Sequence, residues 1–147
     1  MSALNAFETA LLQLLFNNTA LANIGDATGL PATATAGSTQ LALATATLSD
    51  ATTDMTTTEV AYTGYARPTQ ARSGAGWTVA GDTVDNAALI QFGNMTAGGP
   101  QTVTYMSLGF ISTGNILRLW AALNASLVIN NGVNPQYAIG QCNWTLD

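Results

Sequence analysis

The sequence predicts a mainly β protein, an antiparallel β-sandwich or jelly-roll-like domain with an N-terminal α-helix. Three observations predict it. From residue 59 onward, short apolar runs alternate with breaks rich in glycine and asparagine, as in sheet proteins. Ahead of them stands one run with helical periodicity. Between the two lies a stretch of small residues, glycine and proline that follows neither period. The chain has 147 residues, the size of one domain. At that length folding buries roughly 68–70% of the unfolded surface, enough for a core without metal or disulfide staples.

The helix comes first. Asn5 and Glu8 stand at the spacing of a capping box. Phe7, Leu11, Leu14 and Leu15 fall on one stripe, and Asn17 and Asn18 close the run. An apolar stripe must be covered by its own domain, a sister subunit or another protein surface. Residues 59–147 already supply enough strands to close a sandwich, so the sequence points to a contact outside the subunit. Residues 19–37 read as loop or extended arm, with Gly25, Gly29 and Pro31 among small residues. QLALATATL at 40–48 reads as a first strand, and SDATTDMTTT at 49–58 as a polar loop.

Further strands are predicted at 59–63, 70–73, 77–79, 84–92, 102–111, 116–123, 127–130, 137–139 and 141–146. Ala80-Gly81-Asp82 joins two of them as a hairpin. Ala97-Gly98-Gly99-Pro100, Thr113-Gly114-Asn115 and Asn130-Asn131-Gly132 are turns. The predicted organisation is residues 1–58, with helix, arm and first strand packed with or extending from the main domain, and 59–147, the β-sandwich domain. Together they form one structural unit.

Charge is the most unusual feature. Three arginines, no lysine, no histidine and eight acids give a net charge of −5. Charged residues make up 7% of the chain, against roughly 25% in a typical domain. Binding nucleic acid needs clustered cations to displace counterions, and this chain cannot supply them. Its surface must be made of threonine, asparagine, serine, glycine and alanine, which lose little side-chain entropy when buried against a partner. No apolar run is long enough to span a bilayer; the best, at 10–16, is interrupted by Gln13. The N-terminus lacks the basic region of a secretory signal, so neither a membrane nor secretion is expected.

Catalysis is not expected either. Without histidine the common nucleophile–base pairs cannot form. Of the carboxylate pairs Asp50/Asp54 and Asp82/Asp85, the first lies in a predicted loop and Asp82 in a predicted hairpin turn, where aspartate has a structural use. Ser73-Gly74-Ala75-Gly76 is followed by no lysine and no helix, unlike a phosphate loop. The loop aspartates do not match an EF-hand, so neither metal nor cofactor is predicted. Cys142 shares a strand face with Trp144 and Leu146 and reads as a small buried hydrophobe.

The arginines carry the sharpest residue-level signal. Arg118 lies between Ile116 and Trp120 on one strand face, which is either solvated or a subunit contact. Arginine and tryptophan are enriched at interface anchors. With the helix stripe, this gives Phe7, Leu11, Leu15, Arg118 and Trp120 as candidate contacts to a sister subunit or another protein surface. With so few cations, each arginine is expected to find an acidic or carbonyl partner within its own subunit.

The second half carries an ordered set of segments: GYARPTQARSGAGWTVAGDTVDNAALIQF at 64–92, GGPQTVTYMSLGF at 98–110, STGNILRLWAAL at 112–123, LVINNGVNPQYAIG at 127–140 and a terminal NWTLD. In this order they resemble a group of small tailed-phage virion proteins labelled phage tail fibre protein or capsid decoration (cement) protein. The likeness spans residues 59–147. Tyr137 stands where another aromatic is common, and Arg118 and Trp120 replace blander residues. The resemblance implies a non-enzymatic virion component. The first expectation is a decoration protein on the outer surface of the head, a homo-oligomer (a trimer rather than a dimer) bound to the major capsid protein and bridging capsomers. The alternative is a tail or tail-fibre component in host attachment. That role needs aromatics in a receptor-facing groove, and Tyr62, Tyr65, Trp77, Tyr105 and Trp120 are available.

Overall fold

The computed structural model describes residues 3–25, 28–111 and 114–146. Among the described residues one helix, α1 (Asn5–Asn17), precedes nine strands: β1 (Ser38–Ala44), β2 (Thr69–Ala71), β3 (Trp77–Ala80), β4 (Thr83–Asn86), β5 (Ile90–Gln91), β6 (Gln101–Phe110), β7 (Leu117–Ile129), β8 (Gln136–Tyr137) and β9 (Asn143–Thr145). The fold class is the expected one: mainly β, with antiparallel sheets and a single N-terminal helix. The chain forms two compact units interleaved in sequence. One comprises Met1–Gly37, Gln70–Leu89 and Tyr137–Asp147; the other comprises Ser38–Thr69 and Ile90–Gln136.

The first unit is built on the sheet β3-β4-β9. Val79 faces Val84, and Ala80 faces Thr83, so Gly81 and Asp82 make the two-residue hairpin turn the sequence predicts. The helix packs on this unit through Phe16, whose ring meets Trp77 edge-on at 4.9 Å and 68°. Trp77 is 0% exposed and Phe16 1%. The buried residues of α1 are Glu8, Leu12 and Phe16, spaced four apart. That is not the predicted stripe. Phe7 is 41% exposed, while Leu11, Leu14 and Leu15 are half-buried. Docking Phe16 on Trp77 sets the rotation of the helix and leaves the predicted stripe beside, rather than within, its packed face.

The helix ends differ in how they are satisfied. The predicted capping box does not form: the N-cap is Leu4, without a side-chain bond, and Glu8 lies on the packed face. At the other end Asn18 adopts the left-handed conformation (φ 53°). Its side chain clasps Thr33, taking the backbone N–H at 3.0 Å and donating to the carbonyl at 2.8 Å. Arg72 donates to the carbonyls of Leu14 and Leu15, both at 2.7 Å, and of Ala36 at 2.9 Å. A guanidinium there meets orphan carbonyls at the negative end of the helix dipole, and no basic residue of the last turn does that work. The described residues of 19–37 form a loop rather than an extended arm. They fold back on themselves, with Leu21 and Leu30 exchanging backbone hydrogen bonds at 2.9 and 2.8 Å.

Asn86 ties the C-terminal segment to the same sheet. Its amide donates to Ala88 and Ala138 carbonyls at 2.8 and 2.9 Å, and its carbonyl oxygen accepts from the N–H of Cys142 at 2.9 Å. This turn splits the predicted strand 84–92 into β4 and β5. Cys142 and Trp144 are buried while Asn143 and Thr145 are exposed, as their alternation predicts. Burial pushes the Cys142 thiol up to about 12, and burial pushes the Tyr137 hydroxyl up to about 12 as well. Both groups lose the proton more readily when unfolded, so their contribution is intact below their ordinary values and lost as pH rises through the folded ones. Stability in chemical denaturation is therefore expected to hold to about pH 9 and to decline toward pH 12. Cys142→Ala should delay the decline; a variant that declines just as early would contradict this assignment.

The second unit contains the strand order β1-β6-β7. β1 pairs with β6 from Thr39↔Phe110 to Ala44↔Tyr105. Leu41, Leu43, Met55, Val103, Leu108 and Ile129 are buried in this unit. The predicted strand 59–63 forms only isolated bridges, Ala44↔Glu59 and Thr63↔Ala97. The reason is the turn that follows. Gly64 has φ +100° and lies so close to Asn94 that a Cβ would overlap its carbonyl oxygen. Gly93, at φ +83°, approaches the carbonyl of Gly64 in the same way. Tyr62 seals the crossing by donating its hydroxyl to the carbonyls of Phe92 (3.2 Å) and Gly93 (3.1 Å). Tyr65 stacks on Phe92 at 6.3 Å, and its hydroxyl accepts the N–H of Leu43 at 3.2 Å. Arg67 forms a bidentate pair with Glu59 at 2.7 and 2.6 Å and donates to Asn115 at 2.8 Å. Arg67 and Arg72 thus both find the internal partners expected of them.

Candidate interaction surface and groove

The predicted strands 116–123 and 127–130 are one 13-residue strand, β7, at the edge of its sheet. It has two arms. Leu117–Ala122 faces Gly109–Tyr105, and Leu127–Ile129 faces Val103–Gln101. Between them, residues 123–126 stand opposite Thr104 alone, a β-bulge that bends the strand. Of its 13 residues only Ile129 is buried, although the sequence LRLWAALNASLVI is largely apolar. Val128 is 50% exposed. Arg118 is its one charged residue.

A turn covers the start of β7. Thr52 donates its N–H to the Ser49 carbonyl at 2.8 Å, and the Thr52 hydroxyl accepts the Ser49 N–H at 3.1 Å. Met55, buried, donates its N–H to Asn115, and Leu117 donates to the Thr53 carbonyl at 3.0 Å. Asp54 accepts from the N–H and hydroxyl of Thr56 at 2.7 and 2.8 Å. The Thr56 bonds, backbone first, hold its carboxyl below the usual carboxylate range. Turn and strand enclose an open groove of about 320 Å³ lined by Ser49, Asp50, Thr52, Thr53, Ile116, Leu117, Arg118 and Trp120. Tyr105 lies beside the Trp120 ring on the same sheet face, at 5.8 Å and 52°.

The five candidate contacts fall into two groups. Arg118 and Trp120 meet in the groove, while Phe7, Leu11 and Leu15 lie on α1 in the other unit. Of the aromatics available for a receptor, Trp77 and Tyr62 are core residues. Tyr65 is committed to Leu43 and Phe92, which leaves Trp120 with Tyr105 beside it. Sequence reading missed Ser49, Asp50, Thr52 and Thr53. Their polar run carries no signal of its own, and only the pairing of β7 with the Thr53–Asp54 segment brings them beside Trp120. Among the described residues, no group of three or more His, Cys, Asp or Glu could hold a metal ion. No described helix is long and apolar enough to cross a membrane.

The chain is β-rich and poor in charge, with an apolar strand at the edge of one sheet. A family model described as Podophage GP4 fiber I protein gp80 matches residues 2–145. The chain belongs to this family of phage fibre proteins. No curated protein matches it.

Proposed function

We propose that this chain is a structural component of a phage tail fibre, built from several copies and working by protein–protein contact rather than by catalysis. The second arm of β7 carries the reading. Leu123, Leu127 and Val128 leave apolar surface at a sheet edge with no acidic residue on the strand. The strand itself carries no negative charge, so a second copy can approach it without like-charge repulsion from it. Each apolar Å² it covers contributes about 25 cal/mol. The outer stripe of α1, with Phe7, Leu11 and Leu15, offers a second such surface. Membership of a fibre family supports a place on the tail over a cement role on the head. Sister copies and neighbouring tail proteins thereby come ahead of the major capsid protein as proposed partners.

Light scattering coupled to gel filtration tests the assembly. The wild type should run as a multiple of 15.1 kDa, and Val128→Asp should run as a monomer with an unchanged circular dichroism spectrum. A monomeric wild type, or a variant that assembles as well as the wild type, would refute this use of β7.

A further inference from the structure

We propose that the groove between the 49–53 turn and the first arm of β7 binds a neutral saccharide. This goes beyond the assembly reading, which rests on the second arm and on α1. The groove holds one unpaired charge of each sign. Arg118 and Asp50 both line it, and neither takes part in a hydrogen bond or ion pair among the described residues. The other two arginines are fully engaged with internal partners, so Arg118 stands apart. A ligand anion would be drawn to Arg118 and repelled by Asp50; a cation would meet the reverse. A sugar hydroxyl both donates and accepts, so one polyol can give a hydrogen bond to Asp50 and take one from Arg118. Trp120 adds what a polyol alone would not need. Its half-exposed ring is an apolar plate suited to the C–H face of a pyranose, and Tyr105 lies beside it on the same sheet face. The side-chain hydroxyls of Ser49 and Thr52 complete a wall that is polar on one side and aromatic on the other. A volume of about 320 Å³ is at the small end of ligand sites and suits one or two sugar rings. Backbone bonds from Leu117 to Thr53 and from Met55 to Asn115 fix both walls before a ligand arrives.

The test uses the purified full chain and saturation-transfer NMR with five probes: isomaltose, cellobiose and N,N′-diacetylchitobiose as neutral disaccharides, glucuronate as an anion and glucosamine as a cation. At least one neutral disaccharide should bind with a millimolar Kd, and about tenfold more tightly than either charged sugar. Trp120→Ala, Arg118→Gln and Asp50→Asn should each weaken it about tenfold, the loss of one good contact. All three side chains are at least partly exposed, so the variants should keep the wild-type circular dichroism spectrum. Dextran, run beside isomaltose, separates the two sources of the chemistry: binding of the polymer marks a surface polysaccharide, and binding of isomaltose alone marks free sugar. No binding by any neutral probe overturns the proposal, as does equal or tighter binding of a charged sugar or full affinity in Trp120→Ala. Light scattering on the same samples reports assembly separately, so either reading can fail while the other stands.

Discussion

Phe16→Ala is expected to destabilise the helix-bearing unit by about 3–5 kcal/mol, the range for truncating a buried aromatic. Phe16 is 1% exposed and meets Trp77, itself fully buried. Removing the ring deletes the contact that fixes α1 on β3 and opens a cavity beside the largest buried side chain of the chain. Thermal denaturation followed at the helical circular dichroism band should show a fall in Tm on the order of 10 °C. Leu11→Asp is the control on the same helix. Leu11 is only half-buried, so the charge can reach water. The variant should melt close to the wild type but lose assembly, if the outer stripe of α1 meets a partner. A large loss of stability in Leu11→Asp would place that stripe in the core instead.

Gly64→Ala should be comparably damaging, for a different reason. At φ +100° a side chain costs about 1–3 kcal/mol in backbone strain alone. The added Cβ would also overlap the Asn94 carbonyl, a backbone atom that cannot rotate away. Separating the two chain segments would break the hydrogen bonds from Ala66 to Phe92 and from Thr96 to Thr63, at 3.0 and 2.9 Å. A loss of about 3 kcal/mol or more is expected in urea denaturation. Gly81→Ala provides the comparison: its φ is also positive, at +65°, but nothing lies within 4 Å of the added carbon, so it should lose only the strain. Equal losses at the two sites would show that close approach at Gly64 does not matter.

These variants also mark what was readable in the sequence. The segment GYAR at 64–67 was legible only as part of a family pattern, and the tasks of three of its residues are set by distant partners. Gly64 permits the crossing, Tyr65 stacks on Phe92 and Arg67 pairs with Glu59. The β3–β4 hairpin and the buried alternation of Cys142 and Trp144 were legible because turn chemistry and period 2 are local rules. The buried face of α1 was not. Two apolar stripes share the helix, and only the distant Trp77 decides which one packs. The strand at 59–63 failed for a similar reason, because the approach of residue 94 to Gly64 diverts the chain. The interleaving of the two units follows from long-range pairing and leaves no composition boundary.

Half of the groove could be anticipated. Arg118 and Trp120 stand two apart on a strand, which period 2 places on one face. Asp50 and its hydroxyl neighbours lie more than sixty positions earlier, and their placement depends on one backbone pairing, Asp54↔Ile116. No local pattern encodes that pairing. Length misled at β7 as well: asparagine and serine at 124 and 126 read as a break between two strands, whereas the chain absorbs them as a bulge within one.

The position of the chain on the particle tests the central claim most directly. Intact virions should be labelled with a gold-conjugated antibody raised against the purified protein and imaged by negative-stain electron microscopy. A tail-fibre component predicts gold confined to the tail and its appendages. Gold spread over the surface of the head, at many sites per particle, would contradict the account and restore the decoration role.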